Sequence, residues 1–240
     1  MKYFIDQPGC LGDIIFTLNF AEQLSEEAEV YWHISPAFWE SGIKRVQSPA
    51  TLGPHVSRTS DIDKVYKLCD MVHRGDSELM RGKYTHYGYD WSNWASSIKY
   101  ERDYETEDDL RKYFGLEKGD PFILYNDCYG MQQFHKGVVN SIPDGYDGKV
   151  IKLEVFNEAT VFDWCWIFEN AEQIITVDTS ILMVIETLEL KAKKMIMHPR
   201  HYKITNLELG NLYSKPWEWV EYDRDTWREL CPREPEYYDA

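Results

Sequence analysis

At 240 residues and 28.4 kDa, the chain has the length of one large domain or two small ones. A content of 43% hydrophobic and 15% aromatic residues excludes disorder of the whole chain, and a net charge of −15 (26 Lys and Arg against 41 Asp and Glu) argues against a nucleic-acid binder that tracks phosphates. No apolar run exceeds five residues (164–168 and 181–185), against the roughly 20 of a membrane-spanning helix; the opening MKYFIDQPG is charged too early for a secretory signal, so a soluble, cytoplasmic protein is expected.

KYFID (2–6) reads as a first strand and PGCLGD (8–13) as glycine-rich turn chemistry. Ile14, Ile15, Leu18, Ala21 and Leu24 then recur at helical spacing, which predicts a helix over 13–25, and EVYWHI (29–34) supplies a second strand. Ser35-Pro36 starts a further helix, and VYKLC (65–69) reads as a strand. The aromatic stretch 84–100 shows no clean period and is expected as strand and loop. Thr106 and the acids after it start a helix that runs to Phe114 and stops at Gly115.

GLEKGDP (115–121) reads as a linker, after which the pattern starts again. Strands are predicted at 122–127, 150–155, 173–178 and 193–198, with helices over 161–171 and from Thr179 onward. Two successive βα series imply an α/β protein of two Rossmann-like domains: 1–117, 118–222, and a carboxyl-terminal tail, 223–240, whose last residues are expected to be mobile. The five cysteines (Cys10, Cys69, Cys128, Cys165, Cys231) are irregularly spaced and contain no C-x-x-C pair. They read as buried thiols rather than a disulfide framework or zinc ribbon.

Two loops carry candidate chemistry. In PGCLGDIIF, Gly9 and Gly12 permit close backbone approach, and Asp13 brings a carboxylate to the carboxyl edge of the sheet, where open α/β folds bind ligands. In ITVDTSILMVIETL, a strand ends at Asp178, and Thr179 and Ser180 offer hydroxyls at the start of the next helix, a setting that suits a diphosphate. Both loops also carry the residue types expected of plain helix caps.

Together, QPGCLGDIIFTLNFAEQL and ENAEQIITVDTSILMVIETL resemble the amino- and carboxyl-terminal signatures of the bacterial heptosyltransferase family, glycosyltransferase family nine. The resemblance implies a GT-B fold, two Rossmann-like domains facing a cleft, with acceptor on the first and nucleotide sugar on the second. It also implies a hexosyl- or heptosyltransferase-like activity, from a nucleotide-sugar donor to an acceptor hydroxyl of a glycan or other molecule, with no metal and no cofactor. By the same resemblance Asp13 is the general base, Gly12 keeps the backbone close to sugar and phosphates, and Asp178, Thr179, Ser180 and Lys136 hold the donor diphosphate. Ser180 replaces the family's glycine, Met183 stands where the family keeps a His, and the first half is short. Those departures leave two alternatives: a non-catalytic binding or assembly protein on a degenerate GT-B scaffold, or another enzyme of that fold, such as a nucleotide-sugar epimerase.

Other constellations weigh less. Asp61-Ile62-Asp63 has the D-x-D form of metal-dependent transferases of another fold but lacks a strong preceding strand. His198, Arg200 and His201 follow a strand and suit a phosphate better than a metal. The Tyr and Trp residues of 84–100 and 213–222 offer sugar-stacking faces, although such rings more often form core. No Walker loop or G-x-S-x-G elbow occurs.

Overall fold

The computed structural model describes residues 1–7, 9–68, 79–129, 133–154, 156, 159–200, 202 and 212–231. Two compact units form, Met1–Tyr104 with Asn157–Asp163, and Glu105–Phe156 with Trp164–Ala240. Each is built on a parallel sheet, so the α/β class expected from the sequence holds.

The first unit contains β1 (Lys2–Asp6), α1 (Leu11–Ser25), β2 (Glu29–His33), α2 (Pro36–Glu40), β3 (Val46–Gln47), β4 (Thr51–Gly53), β5 (Lys64–Lys67), α3 (Leu79–Thr85), α4 (Trp94–Ser97) and β6 (Lys99–Tyr100). Its sheet has the order β4-β2-β1-β5, all parallel, while β3 and β6 pair antiparallel apart from it. Tyr3, Phe4 and Ile5 are all buried, as expected for a central parallel strand covered on both faces. The chain leaves β1 toward β2 on one side and later returns to β5 on the other, which makes the carboxyl end of β1 the point where strand order reverses.

The stretch expected as strand and loop over 84–100 instead contributes the end of α3 together with α4 and β6. Two of its rings are core: Tyr84 and Trp94 are buried, Phe16 of α1 packs on both, and Phe20 packs edge-on against Tyr66, Tyr84 and Tyr89. The Tyr84 hydroxyl donates to the Phe16 carbonyl and accepts the Phe20 N–H at 3.1 Å. Burial raises its pKa well above the ordinary tyrosine value. The helices are too short for a hydrophobic period to register, and tertiary ring packing fixes them instead.

The second unit contains α5 (Tyr104–Tyr113, from Glu105 onward), β7 (Phe122–Asn126), β8 (Cys128–Tyr129), β9 (Gln133–Phe134), α6 (Lys136–Asn140), β10 (Lys149–Lys152), α7 (Cys165–Asn170), β11 (Gln173–Val177), α8 (Ile181–Glu186), β12 (Lys194–His198), β13 (Glu218–Trp219) and α9 (Arg224–Leu230). Its sheet runs β10-β7-β11-β12-β13, also parallel, and reverses order at β7. All five residues of β11 are buried.

The units divide at Tyr104/Glu105 rather than after residue 117. Buried Glu107 of α5 accepts the Trp166 N–H at 3.0 Å, and Phe114 packs on Trp164, which ties this helix to the second unit. Conversely, buried Asp163 pairs with Arg45, and Phe162 lies so close to Gly42 (φ +119°) that a Cβ there would sit 2.5 Å from its ring, so this piece belongs to the first unit. Three helices also differ in extent. Residues 161–171 split into a 3-10 turn (Val161–Trp164) and α7; α8 spans six residues; and 224–230, assigned to the tail, form α9, capped by Asp223 accepting from the Thr226 N–H at 2.8 Å. The final residues expected to be mobile, 233–240, lie outside the described residues.

Candidate active site

Asp13 is the third residue of α1, at the carboxyl edge of β1. Its Oδ2 accepts the Cys10 N–H at 2.9 Å, so the cap expected of such an acid is present. The rest of its environment is not that of a plain cap. Its Oδ1 is ion-paired with the ammonium of Lys83 on α3, whose side chain is 3% exposed, whereas the Asp13 side chain is 31% exposed. Gly9 makes room for this carboxylate: a Cβ there would lie 2.6 Å from the Asp13 Cβ and 3.0 Å from Oδ2. Gly12 lies within the first turn of α1.

A cavity of about 620 Å³ opens beside this loop, within the usual range for small-molecule sites. Gly9 and Ile14, which bracket Asp13 in sequence, line it, with Phe38 and Val56 adding apolar surface and Arg58 and His55 polar groups. It lies at the carboxyl ends of β1, β2 and β4. His33, also in its wall, bonds the Val56 carbonyl through Nδ1 at 2.9 Å; a carbonyl only accepts, so Nδ1 carries the proton and Nε2 is the acceptor of the neutral ring.

In the second unit Asp178 directly follows β11 and is 6% exposed. Tyr213 donates to its Oδ1 at 3.0 Å, and Arg200 approaches Oδ2 at 3.5 Å. Burial and the Asp178 charge both raise the Tyr213 pKa well above its ordinary value, so the phenol stays a donor. Thr179 and Ser180 are partly exposed at the start of α8, and the Asn126 amide reaches toward the Thr179 hydroxyl at 3.5 Å while bonding Thr176 at 3.2 Å. Met183 is buried in α8 and contributes to core. Lys136 is exposed at the first position of α6.

Sequence reasoning missed two neighbouring pairs. Lys83–Asp13 spans 70 positions, so no local pattern announces it. Lys152 at the end of β10 bonds Asp127, just past β7, at 2.9 Å, with its ammonium 5.0 Å from the Phe134 ring centre. Other sequence candidates are occupied differently. Asp61 and Asp63 bond Lys2 and its backbone N–H at 2.6 and 2.8 Å, at the amino edge of the sheet, opposite Asp13. The Lys2 ammonium, then Thr59, holds the Asp61 carboxyl down at about 2. His198 is buried between Ser141 and Tyr222, and His201 lies outside the described residues. Trp217 and Tyr213 are also buried.

Cys165 and Cys231 are buried thiols, but Cys10 is exposed at the start of α1, and Cys69 lies outside the described residues. Among the described residues no group of three or more His, Cys, Asp or Glu is placed to share a metal ion, and no helix is long and apolar enough to cross a membrane.

No family model and no curated protein matches the chain. Among solved structures, it resembles the glycosyl transferase family 9 protein from Veillonella parvula DSM 2008, with TM-score 0.58 and 12% identity over 94% of this chain and 89% of that one. The E. coli heptosyltransferase WaaC with ADP aligns with TM-score 0.46 and 12% identity over 93% of this chain and 94% of the other. The first likeness shows the fold: two Rossmann-like α/β units of the GT-B-like kind.

Proposed function

We propose that this protein is a glycosyltransferase that moves a sugar from a nucleotide-sugar donor to an acceptor hydroxyl, with Asp13 as general base and without a metal cofactor. The observation that supports it most is the setting of Asp13. It is a partly exposed carboxylate, held from both oxygens, at the strand-order reversal of a parallel sheet and beside a cavity of about 620 Å³. Chemically, an Asp13 oxygen takes the proton of the acceptor hydroxyl while the acceptor's hydroxyl oxygen bonds the anomeric carbon. The bond from that carbon to the diphosphate breaks, and its electron pair leaves with the nucleotide diphosphate.

The acceptor occupies the cavity of the first unit. The donor diphosphate meets the Thr179 and Ser180 hydroxyls and Lys136, and Arg200 offsets the charge of Asp178 beside them. The family of the structural neighbour, named a glycosyl transferase, favours transfer over a purely structural use of the scaffold.

Calorimetric titration with UDP, GDP and ADP should detect binding of at least one nucleotide, and Thr179→Ala with Ser180→Ala should weaken it by about tenfold, the loss of a hydrogen bond or two to a charged group. No binding to any of the three, or equal binding by the double variant, overturns the donor site.

A further inference from the structure

Lysine is almost never buried without a partner that needs it there. Lys83 is 2% exposed, comes from a helix 70 positions along the chain, and directs its ammonium at one oxygen of the carboxylate proposed as base. A helix cap alone requires only the Cys10 N–H, which Oδ2 already accepts. Gly9, lacking a Cβ, leaves the space that lets the carboxylate lie between these two donors.

We infer that Lys83 is the positioning residue of the Asp13 carboxylate, an inference that rests on the proposed role of Asp13 as base. The ammonium fixes Oδ1 and the Cys10 N–H fixes Oδ2, so the carboxylate cannot rotate about its Cβ–Cγ bond. The lone pairs on its exposed side keep one direction toward an incoming hydroxyl. Freed from Lys83, the carboxylate swings and hydrates, and the reacting geometry is lost while donor contacts in the other unit are untouched.

The test pairs two variants. Lys83→Met replaces a buried cation by an apolar chain of similar length and leaves a carboxylate that water reaches, so the fold is retained. Asp13→Asn combined with Lys83→Met removes the base without stranding a buried charge. Transfer from the nucleotide sugar that binds is measured as kcat and KM for both, with Lys83→Arg as the conservative replacement and thermal melting as the check on folding.

The expected result is a kcat for Lys83→Met lower by about tenfold or more with donor KM within about twofold, partial recovery in Lys83→Arg, and no transfer by the double variant. If Lys83→Met keeps the wild-type kcat while the double variant is inactive, Asp13 is needed and Lys83 is not, and the inference is overturned alone. If the double variant still transfers, or the wild type transfers from no donor, the role of Asp13 is overturned and the inference goes with it. If Lys83→Met melts before it can be assayed, Lys83→Gln takes its place: a folded Lys83→Gln with kcat lower by about tenfold or more supports positioning, and one with the wild-type kcat refutes it.

Discussion

Lowering the pH from 7 to 5 should destabilise the second unit through two buried histidines. His135 and His198 are 0% and 1% exposed, and their ring centres lie 5.3 Å apart. Burial lowers His135 to about 4; burial, then the neighbouring His135, lowers His198 to about 3. His198 bonds Tyr222 at 2.6 Å and Ser141 at 3.1 Å, while among the described residues no partner of hydrogen-bonding geometry meets either His135 ring nitrogen. Unfolded, both titrate at about 6.5. Between that value and the folded ones the unfolded chain binds the extra protons, so stability is full above about pH 6.5, falls as pH drops, and levels off below about 3. At pH 5 each histidine costs about 2 kcal/mol relative to pH 7, and the pair about 4 kcal/mol, a large part of a usual 5–15 kcal/mol. Ordinary carboxylates titrate mostly below this window, which isolates the histidines. Urea denaturation at pH 7, 6 and 5, at constant ionic strength, reads the loss directly. In His135→Phe the pH 7 to 5 loss should shrink to about 2 kcal/mol. Equal stability at pH 7 and 5, or an unchanged pH slope in the variant, would refute this reasoning.

The candidate site yields two further predictions. Gly9→Ala should cost about 1–3 kcal/mol and reduce any Asp13-dependent turnover, because its methyl group would lie 2.6 Å from the Asp13 Cβ; wild-type melting and activity in that variant would contradict the packing. Asp13→Ala strands the buried Lys83 ammonium and should destabilise by about 3 kcal/mol in chemical denaturation, whereas adding Lys83→Met should restore most of that stability. No difference between the single and double variants would show that the pair is solvated rather than buried.

Much of the architecture is legible in the sequence because it is encoded locally. KYFID, QIITV and KMIMH are short apolar runs bounded by turn residues, and Ile14 to Leu24 repeat at helical spacing, so β1, β11, β12 and α1 are all predicted within a few residues. The placing of Asp13 and Asp178 at strand ends follows from the same patterns. The aromatic stretch 84–100 is misread because helices of a turn or two carry no period, and because Tyr84 and Trp94 owe their positions to Phe16 and Phe20, more than 60 residues earlier.

By itself, then, the sequence determines two parallel α/β series and the loops that follow β1 and β11, since hydrophobic period and turn chemistry act over a few residues. Tertiary structure alone decides which side chains those loops meet. Lys83 against Asp13, Tyr213 and Arg200 against Asp178, and Lys152 against Asp127 are partners 70, 35, 22 and 25 positions apart. It also decides that the chain divides at Tyr104/Glu105, with Asp163 returning to Arg45. Such pairings arise only when burial removes water from a charge and a specific distant group must replace it, and no short-range pattern records that requirement.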